Sequence, residues 1–88
     1  MVNLSNDAAG LIRNLVSDSD LPESAGLRLA TDDDTHALAM NLEAEPRQDD
    51  VVVEHEGAAL YVSPVAGARL EDLTLQAQLE PRPAFFLD

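Results

Sequence analysis

No cysteine occurs among these 88 residues. Disulfides, thiolate nucleophiles and thiolate metal sites therefore lie outside the chemistry of this chain. Lysine is absent as well. The five basic residues are all arginine (Arg13, Arg28, Arg47, Arg69 and Arg82) and face seventeen acids, for a formal net charge of −12. A surface of that sign repels phosphate backbones and anionic headgroups, which argues against nucleic-acid and membrane partners. It leaves a basic protein partner open, beside the plainer reading of a solvated acidic surface that keeps a small domain soluble. Aromatic residues are few: Tyr61, Phe85 and Phe86. Thirteen of the apolar residues are alanine, so the large core side chains are mostly Leu and Val and the core is modest. A core of that size gains from self-association, which makes a homodimer plausible. No apolar run approaches the roughly 18 residues of a spanning helix, and no basic-then-apolar leader opens the chain. The expected location is cytoplasmic, and the expected organisation is one domain over residues 1–88.

The most patterned stretch is Gly26 to Pro46, GLRLATDDDTHALAMNLEAEP. Leu27 and Leu29 alternate with Arg28. Leu38, Met40 and Leu42 alternate with Ala39, Asn41 and Glu43, the period-two signature of half-buried strands. The spacing predicts a β-hairpin across the acidic connection Asp32-Asp33-Asp34, with the other elements packing on it or extending its sheet.

Before it, Val2 to Leu4 reads as a short edge strand. Ser5 reads as the N-cap of a helix from Asn6 to Val16 or Ser17, with Asp7 in its first turn and Ala8, Leu11, Ile12, Leu15 and Val16 on one face. After it, Val51-Val52-Val53 begins a second hairpin, with Glu54-His55-Glu56-Gly57 as the turn and Ala58 to Val62 as the return. Ser63-Pro64 is a capping hydroxyl followed by proline at the first helical position, which predicts a short helix over Val65 to Leu70. Leu73, Leu75, Ala77 and Leu79 alternate as another strand. Pro81 and Pro83 interrupt it, and Phe85-Phe86-Leu87 closes the chain as a last strand. Strands joined mainly by hairpins, with one long and one short helix, make the fold class α+β.

The order of these pieces resembles a known family, the A-type iron–sulfur cluster carriers, or HesB/IscA-like proteins. The resemblance is carried by Leu4-Ser5 with Ala8-Ala9, Gly26-Leu27-Arg28-Leu29, Leu38-Ala39-Met40-Asn41-Leu42 and Val52-Val53-Glu54-His55-Glu56-Gly57. Tyr61-Val62-Ser63-Pro64 and Phe85-Phe86 complete it. It implies a HesB-like fold. It also implies three cysteine ligands for iron or a cluster, one in a Gly-rich turn of the central hairpin and two in a Cys-x-Cys pair after the last strand. Here the turn is Asp32-Asp33-Asp34-Thr35-His36, without glycine. The first cysteine position falls on Thr35 or His36, and the sequence reaches Asp88 before the pair.

Two local sites merit comparison with their plain alternatives. His36 beside Asp32, Asp33 and Asp34 offers imidazole and carboxylate donors to a metal. One histidine without cysteine cannot hold a cluster in one protomer, and consecutive aspartates lack the alternating spacing of calcium loops. The plain reading is a solvated acidic turn. His55 between Glu54 and Glu56 resembles a general-base setting, but strand neighbours point to opposite faces and no nucleophile is paired with it. No phosphate loop, zinc signature or nucleophile elbow is present. In the Phe85-Phe86 pair, alternation buries one ring and exposes the other, and either is a candidate for a dimer contact. The expectation is a non-enzymatic, cysteine-free relative of the carriers, without catalytic residues or a cofactor of its own. It would act as an accessory or protein-binding module, with iron–sulfur assembly or client proteins as partners. The alternative is an iron carrier that uses His36 and Asp32–Asp34 across a dimer.

Overall fold

The computed structural model describes residues 1–32 and 34–88. In chain order the elements are β1 (Asn3–Leu4), α1 (Asn6–Ser17), β2 (Gly26–Thr31), β3 (Leu38–Glu43), β4 (Val51–His55), β5 (Ala58–Val62), α2 (Pro64–Arg69), β6 (Thr74–Gln78) and β7 (Ala84–Leu87). The α+β class holds. The strands form two sheets, one of order β3-β2-β5-β4 and a smaller one of order β1-β6-β7. This corrects the expectation that everything would pack on or extend the central hairpin. The chain leaves the larger sheet at Ser63-Pro64, and β6 then pairs with β1 on one edge and β7 on the other.

The predicted hairpin is β2 with β3, paired antiparallel from Gly26 with Glu43 to Thr31 with Leu38. On its other side β2 runs parallel to β5, with Leu27 beside Leu60 and Leu29 beside Val62. All four of those side chains are buried. Met40 lies on the same face, opposite Leu29, yet is 42% exposed. The reason is position: β3 is an edge strand, so nothing covers its outer half. Val51 and Val52 are exposed on the opposite edge strand, β4, for the same reason.

The second hairpin is tighter than the sequence suggested. Glu54 and His55 belong to β4, and the turn is Glu56-Gly57 alone, at φ 52° and 78°. Positive φ at both central residues is the type I′ geometry whose twist matches the flanking strands. Tyr61 faces away from Leu60 and Val62 but is also buried, and its hydroxyl donates to the Ser24 carbonyl at 2.8 Å.

Helix α1 starts where expected, the Ser5 hydroxyl accepting from the Ala8 N–H at 3.1 Å. It buries Ala8, Ala9, Leu11, Ile12 and Val16, while Leu15 packs at the margin. This face lies against β6 of the smaller sheet and against β5 and β2 of the larger one, so the helix joins the two sheets through one core. Ser63 caps α2 in the same way as Ser5 caps α1. In the smaller sheet Leu75, Ala77, Phe85 and Leu87 share the inner face. Leu79 falls beyond β6 and is exposed. Phe86 turns outward and is 47% exposed, as the alternation required.

One interaction on the outer face of the larger sheet was not foreseen. The link from β3 to β4 has to pass two strands, β2 and β5. Arg28 on β2 donates through Nε and Nη2 to the Asp50 carboxylate at 2.8 and 2.9 Å, and Asp50 also accepts the Arg47 N–H at 3.0 Å. The Asp50 side chain is 1% exposed and that of Arg28 12%, so this pair is largely withdrawn from water. A two-pronged guanidinium–carboxylate contact fixes direction as well as distance. It pins the connection to the central strand.

The Arg28 hydrogen bond is the chief reason Asp50 stays ionised below the usual carboxylate range. The folded value lies below the unfolded one, so its contribution is complete above about pH 4 and is lost as pH falls through the depressed folded value. Asp50→Ala is expected to cost about 3 kcal/mol, because it strands a mostly buried guanidinium. Asp50→Asn should remove part of the acid-side slope of stability. Urea denaturation between pH 3 and 7 checks both, since a neutral surface pair would leave slope and midpoint unchanged.

Candidate functional site

The acidic turn between β2 and β3 is held by its own polar groups. The Asp32 N–H donates to the Ala37 carbonyl at 2.8 Å, and the His36 N–H donates to the Asp32 carbonyl at 2.9 Å. The Asp32 Oδ1 accepts from the N–H groups of Asp34 and Thr35 at 2.8 and 3.0 Å. The Thr35 hydroxyl accepts from the Ala37 N–H at 3.2 Å. This is the Asx and hydroxyl capping that lets a short polar loop close without glycine. His36 takes the left-handed conformation, φ 59°, which few non-glycine residues adopt and which histidine tolerates better than most. Its carbonyl accepts from Arg69 at the end of α2, so the turn is tied to the short helix.

These bonds decide what the turn can do chemically. The carboxylate of Asp32 lies below its ordinary pKa because the Thr35 and Asp34 N–H groups bind its charged form. It is an acceptor already in use. Asp34, Thr35 and His36 are exposed, and Asp33, the remaining candidate ligand, lies outside the described residues. Among the described residues no group of three or more His, Cys, Asp or Glu is placed to hold a metal ion. Thr35 and His36, on one or other of which the resemblance places the first cysteine, supply a hydroxyl and an imidazole. Neither supplies the thiolate that an iron–sulfur cluster uses. The residues present do not fit a cluster.

His55, at the end of β4, does not meet a carboxylate among the described residues. Its Nε2–H donates to the Asn6 Oδ1 at 2.5 Å, joining the second hairpin to the start of α1. Glu54 lies on the other face of the sheet, where it and Glu45 add to burial in pushing the Tyr61 phenol upward. The general-base reading therefore fails on geometry, because the imidazole has an amide partner and no nucleophile. Two shallow clefts of about 330 and 420 Å³ share Glu23, Ala25, Gly57 and Ala58, and neither is lined by a histidine.

With this arrangement in hand, the chain was compared with known proteins. No protein-family model matches it, and no curated protein matches it significantly. Solved structures do match. SufA of Escherichia coli, described as involved in biosynthesis of iron–sulfur clusters, superposes over 99% of this chain and 83% of its own with a TM-score of 0.81 at 26% identity. IscA, solved with the [2Fe-2S] cluster, superposes over 100% of this chain and 84% of its own with a TM-score of 0.71 at 17% identity. The fold is that of the A-type iron–sulfur cluster carriers. The HesB/IscA-like resemblance read from the sequence is borne out at the level of the fold, which these 88 residues adopt without a cysteine.

If Asp32 closes the turn and is not a ligand, Asp32→Ala should speed amide hydrogen exchange at Asp34 and Thr35 while leaving the core amides of β2 and β5 unchanged. Exchange followed by NMR reads this directly. Unaltered protection at both turn amides would remove the capping role.

Proposed function

We propose that this chain is a non-enzymatic accessory or protein-binding module of iron–sulfur protein maturation, one that acts by contact with a protein and not by carrying a cluster. The supporting observation is the combination of a carrier fold retained along the whole chain with a hairpin turn that has no thiolate. A backbone that superposes at a TM-score of 0.81 keeps the shape of a carrier, whereas the cargo chemistry depends on thiolates that these 88 residues do not contain. The partners that follow are assembly or client proteins of the same process. The acidic surface favours a partner with a complementary basic patch. Among the described residues, the turn, the surroundings of His55 and the two clefts pair no nucleophile with a base, which is in keeping with the non-enzymatic reading.

The competing reading, iron held between protomers by His36 and the Asp32–Asp34 carboxylates, is tested in the same experiment. The protein is purified anaerobically and incubated with ferrous iron and sulfide, and bound iron is measured beside the visible spectrum. The accessory reading predicts no visible chromophore and no stoichiometric iron. Iron at one per dimer or more, abolished by His36→Ala, would establish the carrier reading in its place.

A further inference from the structure

The charge balance of the folded chain points to a property separate from its function. We infer that the stability of the native state is set by ionic strength: mobile cations screen its surface, and the compact fold weakens as salt is diluted.

Charge pairing within the fold is sparse. Among the described residues, which include all of the seventeen acids except Asp33, ion pairs engage only Glu71 with the terminal amine, Asp50 with Arg28, and Glu43 with Arg47. Two of the five arginines direct their guanidinium groups to carbonyl oxygens, Arg13 to that of Glu56 and Arg69 to that of His36. Helix α1 carries the wrong sign at its end. Its C-cap is Asp18, its last turn has no basic residue, and Asp20 follows. The partial negative charge of a helix C-terminus makes each of these carboxylates unfavourable. On the outer face of the larger sheet, the combined field of Glu54 and Glu45 reaches the buried Tyr61 phenol.

Length scales decide that this repulsion matters. The molecule measures 30 × 26 × 22 Å. The screening length is about 30 Å at 0.01 M salt, so there every carboxylate interacts with every other. At 1 M it is about 3 Å, shorter than the gap between most surface charges. Unfolding relieves the repulsion, since the radius of gyration rises from 12.2 Å to roughly 29 Å for an unfolded chain of this length. A small, alanine-rich core leaves little margin to absorb the difference.

The test is thermal unfolding of the whole chain, followed by circular dichroism, in KCl from about 0.01 to about 1 M. Equal-osmolality sucrose and millimolar MgCl₂ at constant ionic strength serve as controls. The midpoint is expected to rise with KCl by at least about 5 °C, a readily measured change for a domain of this size. A variant with Asp18→Asn, Asp20→Asn, Asp72→Asn and Glu80→Gln takes the net charge from −12 to −8, since four carboxylates are removed. All four residues are exposed, and none is in an ion pair described above. This variant should melt higher than the parent at low salt and show a shallower salt dependence. A midpoint that ignores KCl, follows sucrose equally, or responds only to Mg²⁺ would overturn the inference. A variant no more stable than the parent at low salt would overturn it as well.

Discussion

Strand β2 is the constraint on which the rest of the structure depends. It is paired on both edges, antiparallel to β3 and parallel to β5, and it is engaged on both faces. Leu27 and Leu29 enter the core against Leu60 and Val62, and between them Arg28 points the other way to hold Asp50. Alternation at period two lets one short strand do both. Loss of the inner contacts would remove the core, and loss of the outer one would free the connection that delivers β4 to the far edge. Gly26 shows how closely the strands approach, because a Cβ there would lie 2.6 Å from the Ala59 carbonyl oxygen.

Much of this was legible in the sequence because it is local. Ser5 and Ser63-Pro64 announce two helices through capping chemistry that acts within three residues, and both caps form as expected. The alternation of Leu27, Leu29, Leu38 and Leu42 specifies the hairpin. What stayed hidden depends on position in the assembled sheet. Met40 obeys the same alternation as Leu29 but lies on an edge strand, and sequence spacing does not say which strands are edges. The partition into two sheets depends on β1 finding β6 some seventy residues later. The Arg28–Asp50 contact joins a patterned strand to a connection with no periodicity at all. At the candidate site the sequence offered three carboxylates and a histidine as possible ligands. The structure gives Asp32 a different task, because N–H groups two and three residues ahead reach its oxygen first.

That task bears on how such a chain departs from cluster carriers while keeping their fold. A glycine-rich turn closes by backbone freedom and leaves its side chains available to bind. Here closure comes from Asp32 and Thr35, and the left-handed position is filled by His36. The turn is tied to α2 through Arg69. The backbone around it superposes on that of SufA over 99% of this chain, at a TM-score of 0.81.

The central claim is that this carrier fold serves protein contact within iron–sulfur maturation. Affinity capture of the intact chain from its native host, under anaerobic conditions and with identification of what is retained, tests it most directly. The account predicts specific recovery of cluster-assembly or iron–sulfur proteins. Repeated captures that recover neither class would contradict it.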